Sequence, residues 1–443
     1  MLNARPVEGL YRRLRWASDG ILIAILLLVP WVRIGGEPLV LLDIPGRKFH
    51  VFGLVIFPQE LYFLWLIVVG LALSLFFFTA LAGRLWCGWA CPQTVLTDVF
   101  AALARRIEGW SRSGPRAQVS SVRRVLTHAV WLLLSLVLGF HLVGYFVSPY
   151  TMLEQLRTGD LTPTVKGFLV VATGLAYLDL AWFRQTFCKY ICPYARFQGV
   201  LFDSDTLVVG YDALRGEPRG KRRAAAGTSR QGDCVDCGLC VAVCPTDIDI
   251  REGLQYECIA CTQCIDACDG VMAQLGRPRG LIDYRSLVGL ERIRKARLMR
   301  PRVVVYAALL AATIFAFAGA LAGRQPLDFQ VAHNASSLSM AAADGRVGNA
   351  YTLHIENRDR EDHRYRLFLE APGGFELVTG MNPVAVPAIS SIEARVFVLA
   401  AAAGGSQARL RFVLEQEADP SHRVAREVTF VSAGSGGGAM GGH

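Results

Sequence analysis

The sequence predicts an α-helical membrane protein of about five transmembrane helices, interrupted by a cysteine-rich segment and closed by a C-terminal β domain. Three observations predict this class. Five apolar stretches are long enough to cross a bilayer, which takes about 20 residues per helix. All twelve cysteines lie between Cys87 and Cys268. The last 120 residues alternate in polarity and contain no cysteine. The composition agrees, with 53% apolar and 19% charged residues and a mean hydropathy of +0.35. Ordinary globular chains carry about 25% charged residues. Disorder, collagen and a secreted disulfide scaffold are excluded on these grounds.

The spans are expected at Ile21–Ile34, extended back through Ala17–Gly20, and at Leu61–Leu81, Val125–Val147, Val165–Phe183 and Val303–Leu321. The first has too long an apolar run and no convincing small-residue cleavage site for a signal peptide. Basic residues set the orientation. Arg5, Arg12, Arg13 and Arg15 precede the first span, seven arginines from Arg84 to Arg124 follow the second, and nineteen Lys/Arg fill 184–302. The opposite loops hold Arg33, Arg47 and Lys48, then Arg157 and Lys166. The expectation is a multi-pass membrane protein with a cytoplasmic N-terminus. Its net charge of +9 belongs to these loops and implies no nucleic acid. The expected organisation is a four-helix region 1–183 with cysteine motifs ending at 193, a cytoplasmic segment 184–302, a fifth helix 303–323, a periplasmic β-sandwich 324–433 and a flexible Gly-rich tail 434–443.

The sandwich is expected from Tyr351–Glu356, Tyr365–Glu370, Glu393–Leu399, Leu410–Glu415 and Val424–Val431, which alternate or are rich in β-branched residues. It is immunoglobulin-like in architecture only, because the Cys…Trp…Cys core is absent. His333, His354, His363 and His422 lack ligand spacing, so a docking or stabilising role without chemistry is expected. Met440 and His443 in the tail offer at most a loose metal site.

The cysteines carry the chemistry. Cys234, Cys237, Cys240 and Cys244 follow C-x2-C-x2-C-x3-C-P, and Cys258, Cys261, Cys264 and Cys268 repeat it. This is the spacing of a two-cluster bacterial ferredoxin, in which the fourth cysteine of each run reaches the other cluster. Cluster one would take Cys234, Cys237, Cys240 and Cys268, and cluster two Cys258, Cys261, Cys264 and Cys244. The ferredoxin-like domain is placed at about 228–275. Zinc does not require this doubled spacing. Asp269 stands where the general pattern has proline.

A second pair of motifs forms an internal repeat. Cys87-Gly88-Trp89-Ala90-Cys91-Pro92 follows the second span, and Cys188-Lys189-Tyr190-Ile191-Cys192-Pro193 follows the fourth. Each comes after an arginine (Arg84, Arg184) and keeps an aromatic before the first cysteine (Trp86, Phe187). Residues four apart share a helix face, so each pair would present two thiols together at the cytoplasmic membrane surface. Soft thiolates select Cu(I), zinc or iron–sulfur centres. Four buried structural thiols are the plainer alternative. A bis-His haem finds only His128 and His141, both in the third span, and no dinucleotide motif is present.

Together these features resemble the cytochrome c oxidase accessory proteins of the CcoG/FixG/RdxA type, polyferredoxin-like membrane proteins. The resemblance covers nearly the whole chain, including the run Cys264 to Met272, and Asp269 fits that family's pattern. It implies a cupric reductase that converts Cu(II) to Cu(I) for assembly of a cbb3-type oxidase. Oxidase assembly factors or copper chaperones would be its partners, and its electron donor is unassigned. The copper-linked cysteines carry over by motif position onto Cys87, Cys91, Cys188 and Cys192. Two other classes fit the residues: a quinol-linked electron-transfer subunit feeding a partner reductase, and a scaffold with structural clusters.

Overall fold

Five helices in a computed structural model are long and apolar enough to cross a membrane: Leu10–Trp31, Pro58–Ala82, Ser121–Gly144, Pro163–Phe183 and Pro301–Ala322. The structure describes residues 4–110, 119–220, 232–333, 340–341, 346–400 and 408–431. The glycine-rich tail, the expected ferredoxin start near 228, and Arg112 and Arg116 lie outside these residues. The chain parts into two compact units between Ala318 and Gly319.

The first span departs from expectation. Helix α1 (Leu10–Leu28) begins well before Ile21 and carries Arg12, Arg15 and Asp19 buried within it. Arg12 and Arg15 are not a solvated flank. Both guanidiniums pair with Asp98, at 2.8 and 2.5 Å. The N-terminus of α1 is capped from far away in sequence, where the backbone N–H groups of Tyr11 and Arg12 donate to the Asp266 carboxylate. An acceptor there satisfies donors that the helix itself leaves free. Charge pattern placed these arginines at a boundary, and pairing draws them inside it.

The second span, α2 (Leu61–Ala82), runs into a short helix α3 (Leu85–Trp89) and then α4 (Pro92–Glu108). Next come α5 (Ser121–Gly144), α6 (Pro149–Thr158) and α7 (Pro163–Tyr177), which continues as π-type turns to Phe183. Pro193 opens α8 (Pro193–Leu201). Between the first two spans the chain forms an unexpected antiparallel sheet, Val40–Asp43, Lys48–Val51 and Leu54–Ile56, with His50 buried against Glu37.

The cysteine-rich segment hangs between two paired strands, Leu207–Tyr211 and Ile282–Ser286. Ile248, Ile250, Ile265, Met272, Leu281 and Ile282 form its apolar core. The helix Gln263–Gln274 runs unbroken through Cys268 and Asp269. A proline at 269 would interrupt that helix. Asp269 instead continues it and accepts the Gly280 N–H at 2.8 Å. After Cys244 the helix has already ended, and Pro245 is accommodated.

The second unit is a two-sheet antiparallel sandwich. One sheet orders Phe375–Thr379, Ser390–Ala400, Val347–Asn357 and Leu327–His333, and the other Val384–Val386, His363–Glu370, Ala408–Gln416 and Arg423–Phe430. Phe329, Leu353, Ile355, Val396, Phe412 and Leu414 are completely buried between them. Three strands at Leu327–His333, Phe375–Thr379 and Val384–Val386 escaped the sequence reading; the last two are short, whereas Leu327–His333 does alternate over seven residues and was overlooked close behind the fifth span. The histidines go to separate partners: His333 to Asn349, His354 to Glu393, His363 to Asp359 and His422 to Asp419.

Candidate redox and metal-binding site

The two ferredoxin-type loops fold alike. Each sets its middle cysteine between two left-handed residues, Asp236 (φ 52°) and Gly238 (φ 67°) around Cys237, Ala260 (φ 53°) and Thr262 (φ 64°) around Cys261. Such turns point successive backbone N–H groups inward, as anionic iron–sulfur sites require. Only one of the four is glycine, so Gly238 was a partial signal. Two small cavities result. Cys234, Cys237, Cys240 and Cys268 line one, and Cys244, Cys258, Cys261 and Cys264 line the other. Cys240 reaches both, forming the wall between them.

The donor set fits 4Fe–4S clusters. The first cavity gathers four thiols and the second four with Cys240 as a fifth, and the remaining walls are largely apolar, with Leu281 and Ile282 around one and Ile248 and Ile250 around the other. Among the described residues, no three Cys, His, Asp or Glu side chains converge tightly enough for a single metal ion. Burial pushes the Cys240 thiol up to about 11 and the Cys261 and Cys268 thiols up to about 12. Without metal these sulfurs hold their protons, and metal binding must release them.

The C-x3-C-P motifs repeat in backbone as well as in sequence. In both, the second cysteine's N–H reaches five residues back to the aromatic's carbonyl, Cys91 to Trp86 at 2.8 Å and Cys192 to Phe187 at 2.9 Å. This π-type closure, common at functional sites, replaces the continuous helix face expected from the spacing. Cys91 and Cys192 then stand at the N-caps of α4 and α8, each followed by proline at the first helical position. The repeat aligns Gly83 (φ 55°, ψ −121°) with Arg184 (φ 49°, ψ −126°), four residues before each first cysteine. Arg84 and Arg184, which both precede their motifs, are therefore not structurally equivalent. Arg84 is buried, and donates to the carbonyls of Tyr256, Cys258 (3.1 Å) and Ala195 (2.8 Å). Arg184 donates to Ala181 and covers the Trp131 ring.

The four motif thiols lie within electrostatic reach of one another, although no three of them converge as tightly as a single bound metal ion requires. Burial pushes the Cys188 thiol up to about 12, and Cys91, Cys87 and Cys192 each push it further. The same cause lifts Cys87 to about 12, with Cys91 and Cys192 adding to it. Cross-links between the repeats hold this arrangement. Gln93 donates to Asp179 and to the Arg184 carbonyl, at 3.1 and 3.0 Å. From the other side Gln198 accepts from the Cys87 thiol at 3.4 Å, and Tyr194 bonds Thr79.

The first motif also touches the ferredoxin-type segment. A Cβ on Gly88 would stand 2.4 Å from the Ala260 carbonyl oxygen and 2.7 Å from that of Ile259. Trp89 donates to the Tyr284 hydroxyl (3.1 Å), which donates to the Ala260 carbonyl (3.2 Å). Arg15 donates to the Cys261 carbonyl. Thus Gly88 lies against the stretch joining Cys258 to Cys261. Its counterpart Lys189 instead lines a polar cavity of about 220 Å³ with Arg105, Arg184, Pro245 and Gln263. Gln93, Gln198 and Tyr284 were missed in the sequence, as were the roles of Gly88 and Arg84 within the motif already noted. Aligning the two motifs shows glycine opposite lysine, the one signal that was available. His128 and His141 are engaged by Tyr177 and the Val137 carbonyl.

Comparison with known proteins agrees with this geometry. Family profiles match a 4Fe–4S dicluster domain at 183–287, a 4Fe–4S binding domain at 61–111, and the immunoglobulin-like fold at the C-terminus of FixG at 317–433. Protein RdxA of Cereibacter sphaeroides is 38% identical over 91% of this chain and 89% of its own length. The chain belongs to the FixG/RdxA family. Nitrogen fixation protein FixG of Rhizobium meliloti is 35% identical over 83% of this chain and 78% of its length. Protein RdxB of C. sphaeroides is 35% identical over 97% and 96%. Membership makes the chain a multi-pass membrane iron–sulfur electron-transfer protein with a C-terminal immunoglobulin-like domain.

Proposed function

We propose that this FixG/RdxA-family chain reduces Cu(II) to Cu(I) at Cys87, Cys91, Cys188 and Cys192, on the cytoplasmic face of a bacterial inner membrane. The reduced ion would serve assembly of a cbb3-type cytochrome c oxidase, through copper chaperones or assembly factors. The observation that carries the reading is the contact of Gly88 with Ile259 and Ala260, which sets the four-thiol neighbourhood against the ferredoxin-type segment.

In this reading Cys234, Cys237, Cys240 and Cys268 hold one 4Fe–4S cluster and Cys244, Cys258, Cys261 and Cys264 the other. When bound, the clusters supply electrons one at a time. The chain's own residues do the rest. The four thiols take the copper ion as substrate and, being soft, favour its reduced state. The π-type turns fix each thiol pair. Gln93, Gln198 and Tyr194 lock the repeats together, and Trp86, Trp89 and Phe187 restrict water.

A second reading is favoured by the 4Fe–4S profile over 61–111, a stretch with only Cys87 and Cys91. The four motif thiols would then hold a third cluster. Anaerobic purification with metal analysis separates the readings. Copper reduction predicts about eight iron atoms per chain and cluster oxidation on adding Cu(II). About twelve irons per chain, falling to eight when Cys87 and Cys91 are replaced by serine, supports the third cluster.

A further inference from the structure

A further cavity opens between α1 and α4, away from the cysteines. Its volume is about 300 Å³. Arg12, Arg105, Arg106, Trp16, Trp110 and Gln263 line it, and no Asp or Glu stands among its described lining residues. Arg105 and Gln263 also line the polar cavity beside Lys189, so the two cavities adjoin there.

The carboxylates around this cavity are taken. Asp98 pairs with Arg12 and Arg15, and Asp266 accepts the N–H groups of Tyr11 and Arg12. The Glu108 charge acts on Arg184, and Glu8 and Asp247 each have a partner already. The side chains of Arg105 and Arg106 make no hydrogen bond or ion pair among the described residues. Burial, and next the Arg12 charge, lower the pKa of Arg105 against the pull of Asp98. Trp110 has a buried indole N–H without an acceptor. Two guanidiniums and one indole thus offer donors around a space that holds no protein anion.

The cavity also lies where the chain enters the bilayer. The first span begins at Leu10, and Trp16, with Arg12 over its ring at 4.7 Å, is 41% exposed. Tryptophan favours the headgroup level. One turn further along α1, a Cβ on Gly20 would meet nothing within 4 Å, and the apolar run Ile21–Leu28 follows. We propose that Arg105, Arg106 and Trp110 bind the phosphate of an anionic phospholipid, in the leaflet nearer the ferredoxin-type segment, with an acyl chain along Trp16 and Gly20. Guanidiniums match phosphate oxygens in pairs, and basic pockets beside spans suit such headgroups. Through Gln263, next to Cys264, the headgroup ties the ferredoxin-type segment to the membrane surface. Free inorganic phosphate shares this chemistry but has no chains. The proposal does not depend on the copper-reduction reading.

The test uses the full-length holoprotein in detergent micelles, read by native mass spectrometry. It is titrated with dioleoyl phosphatidylglycerol, with dioleoyl phosphatidylcholine and with inorganic phosphate. The proposal expects a single phosphatidylglycerol to be retained in preference to phosphatidylcholine, and inorganic phosphate not to displace it. The R105Q/R106Q variant should bind it about thirtyfold more weakly. The R5Q/R13Q variant removes the same charge from exposed positions outside the cavity and should bind as the parent does. Thermal unfolding gives a second readout, because a ligand of the folded state raises the midpoint. Phosphatidylglycerol should raise it in the parent and in R5Q/R13Q, and not in R105Q/R106Q. Without lipid, R105Q/R106Q should match the parent in unfolding temperature and cluster absorption. Equal retention of the two lipids, displacement by inorganic phosphate, or equal losses in the two double variants would each overturn the proposal.

Discussion

Cys87-Gly88-Trp89 and Cys188-Lys189-Tyr190 share one backbone, yet they face different surroundings. The first is pressed against the ferredoxin-type segment, with Gly88 at its carbonyls and Trp89 hydrogen-bonded to Tyr284. The second has Tyr190 67% exposed and Lys189 beside a polar cavity. A duplicated motif has therefore diverged by what packs on it. One half packs on the ferredoxin-type segment, and the other leaves its aromatic uncovered. The thiols are common to both.

The comparison breaks first at the thiols themselves. Replacing Cys87 and Cys91 by serine should abolish Cu(II) reduction with both clusters intact by EPR. The Cys188/Cys192 pair should behave identically if the four thiols form one site, and should only halve the activity if there are two. Retained copper reduction in all variants would mean that copper takes its electron directly from the ferredoxin-type segment.

The next effect concerns the position where the halves differ. Gly88→Ala forces a methyl to 2.4 Å from a backbone oxygen, and such overpacking costs about 1–3 kcal/mol. Thermal unfolding should register that loss, and single-turnover oxidation of the clusters by Cu(II) should slow. Lys189→Ala, at the equivalent place, should leave the unfolding temperature unchanged. Equal effects at both positions would erase the distinction.

Losses should follow at the struts too. Arg84→Met leaves the Tyr256, Cys258 and Ala195 carbonyls without their charged donor; each such bond contributes about 1.5–3 kcal/mol, so this loss should exceed the one at Gly88. The structural loss should be accompanied by a changed cluster-two EPR signal, because Arg84 holds the Cys258 carbonyl. Trp89→Phe removes one neutral hydrogen bond, about 1 kcal/mol, and should leave the clusters unaltered. A cysteine-labelling map should find residues of 184–302 on the cytoplasmic side and the sandwich outside, and the reverse map would move both halves of the repeat to the periplasm.

Much of this was legible in the sequence because periodicity and spacing are local. The later spans, the main strands and the doubled cysteine runs were read from patterns of a few residues. The contacts between distant segments were not. Arg12 and Arg15 read as a basic flank until Asp98 supplied a partner 83 or more residues away. Asp266 caps a helix 254 positions earlier, and no local rule reveals it. The small sheet at 40–56 was overlooked because its strands have three or four residues. The backbone match of Gly83 with Arg184 was equally hidden, because the two residues share a conformation and not a side chain.

The most direct test of the central claim is iron quantification with EPR on anaerobically purified protein and its Cys87→Ser/Cys91→Ser variant, before and after adding Cu(II). The account predicts about eight iron atoms per chain in both proteins, with Cu(II) oxidising the clusters in the parent and failing to do so in the variant. About twelve irons in the parent and eight in the variant would contradict it, showing that the four motif thiols hold a cluster of their own.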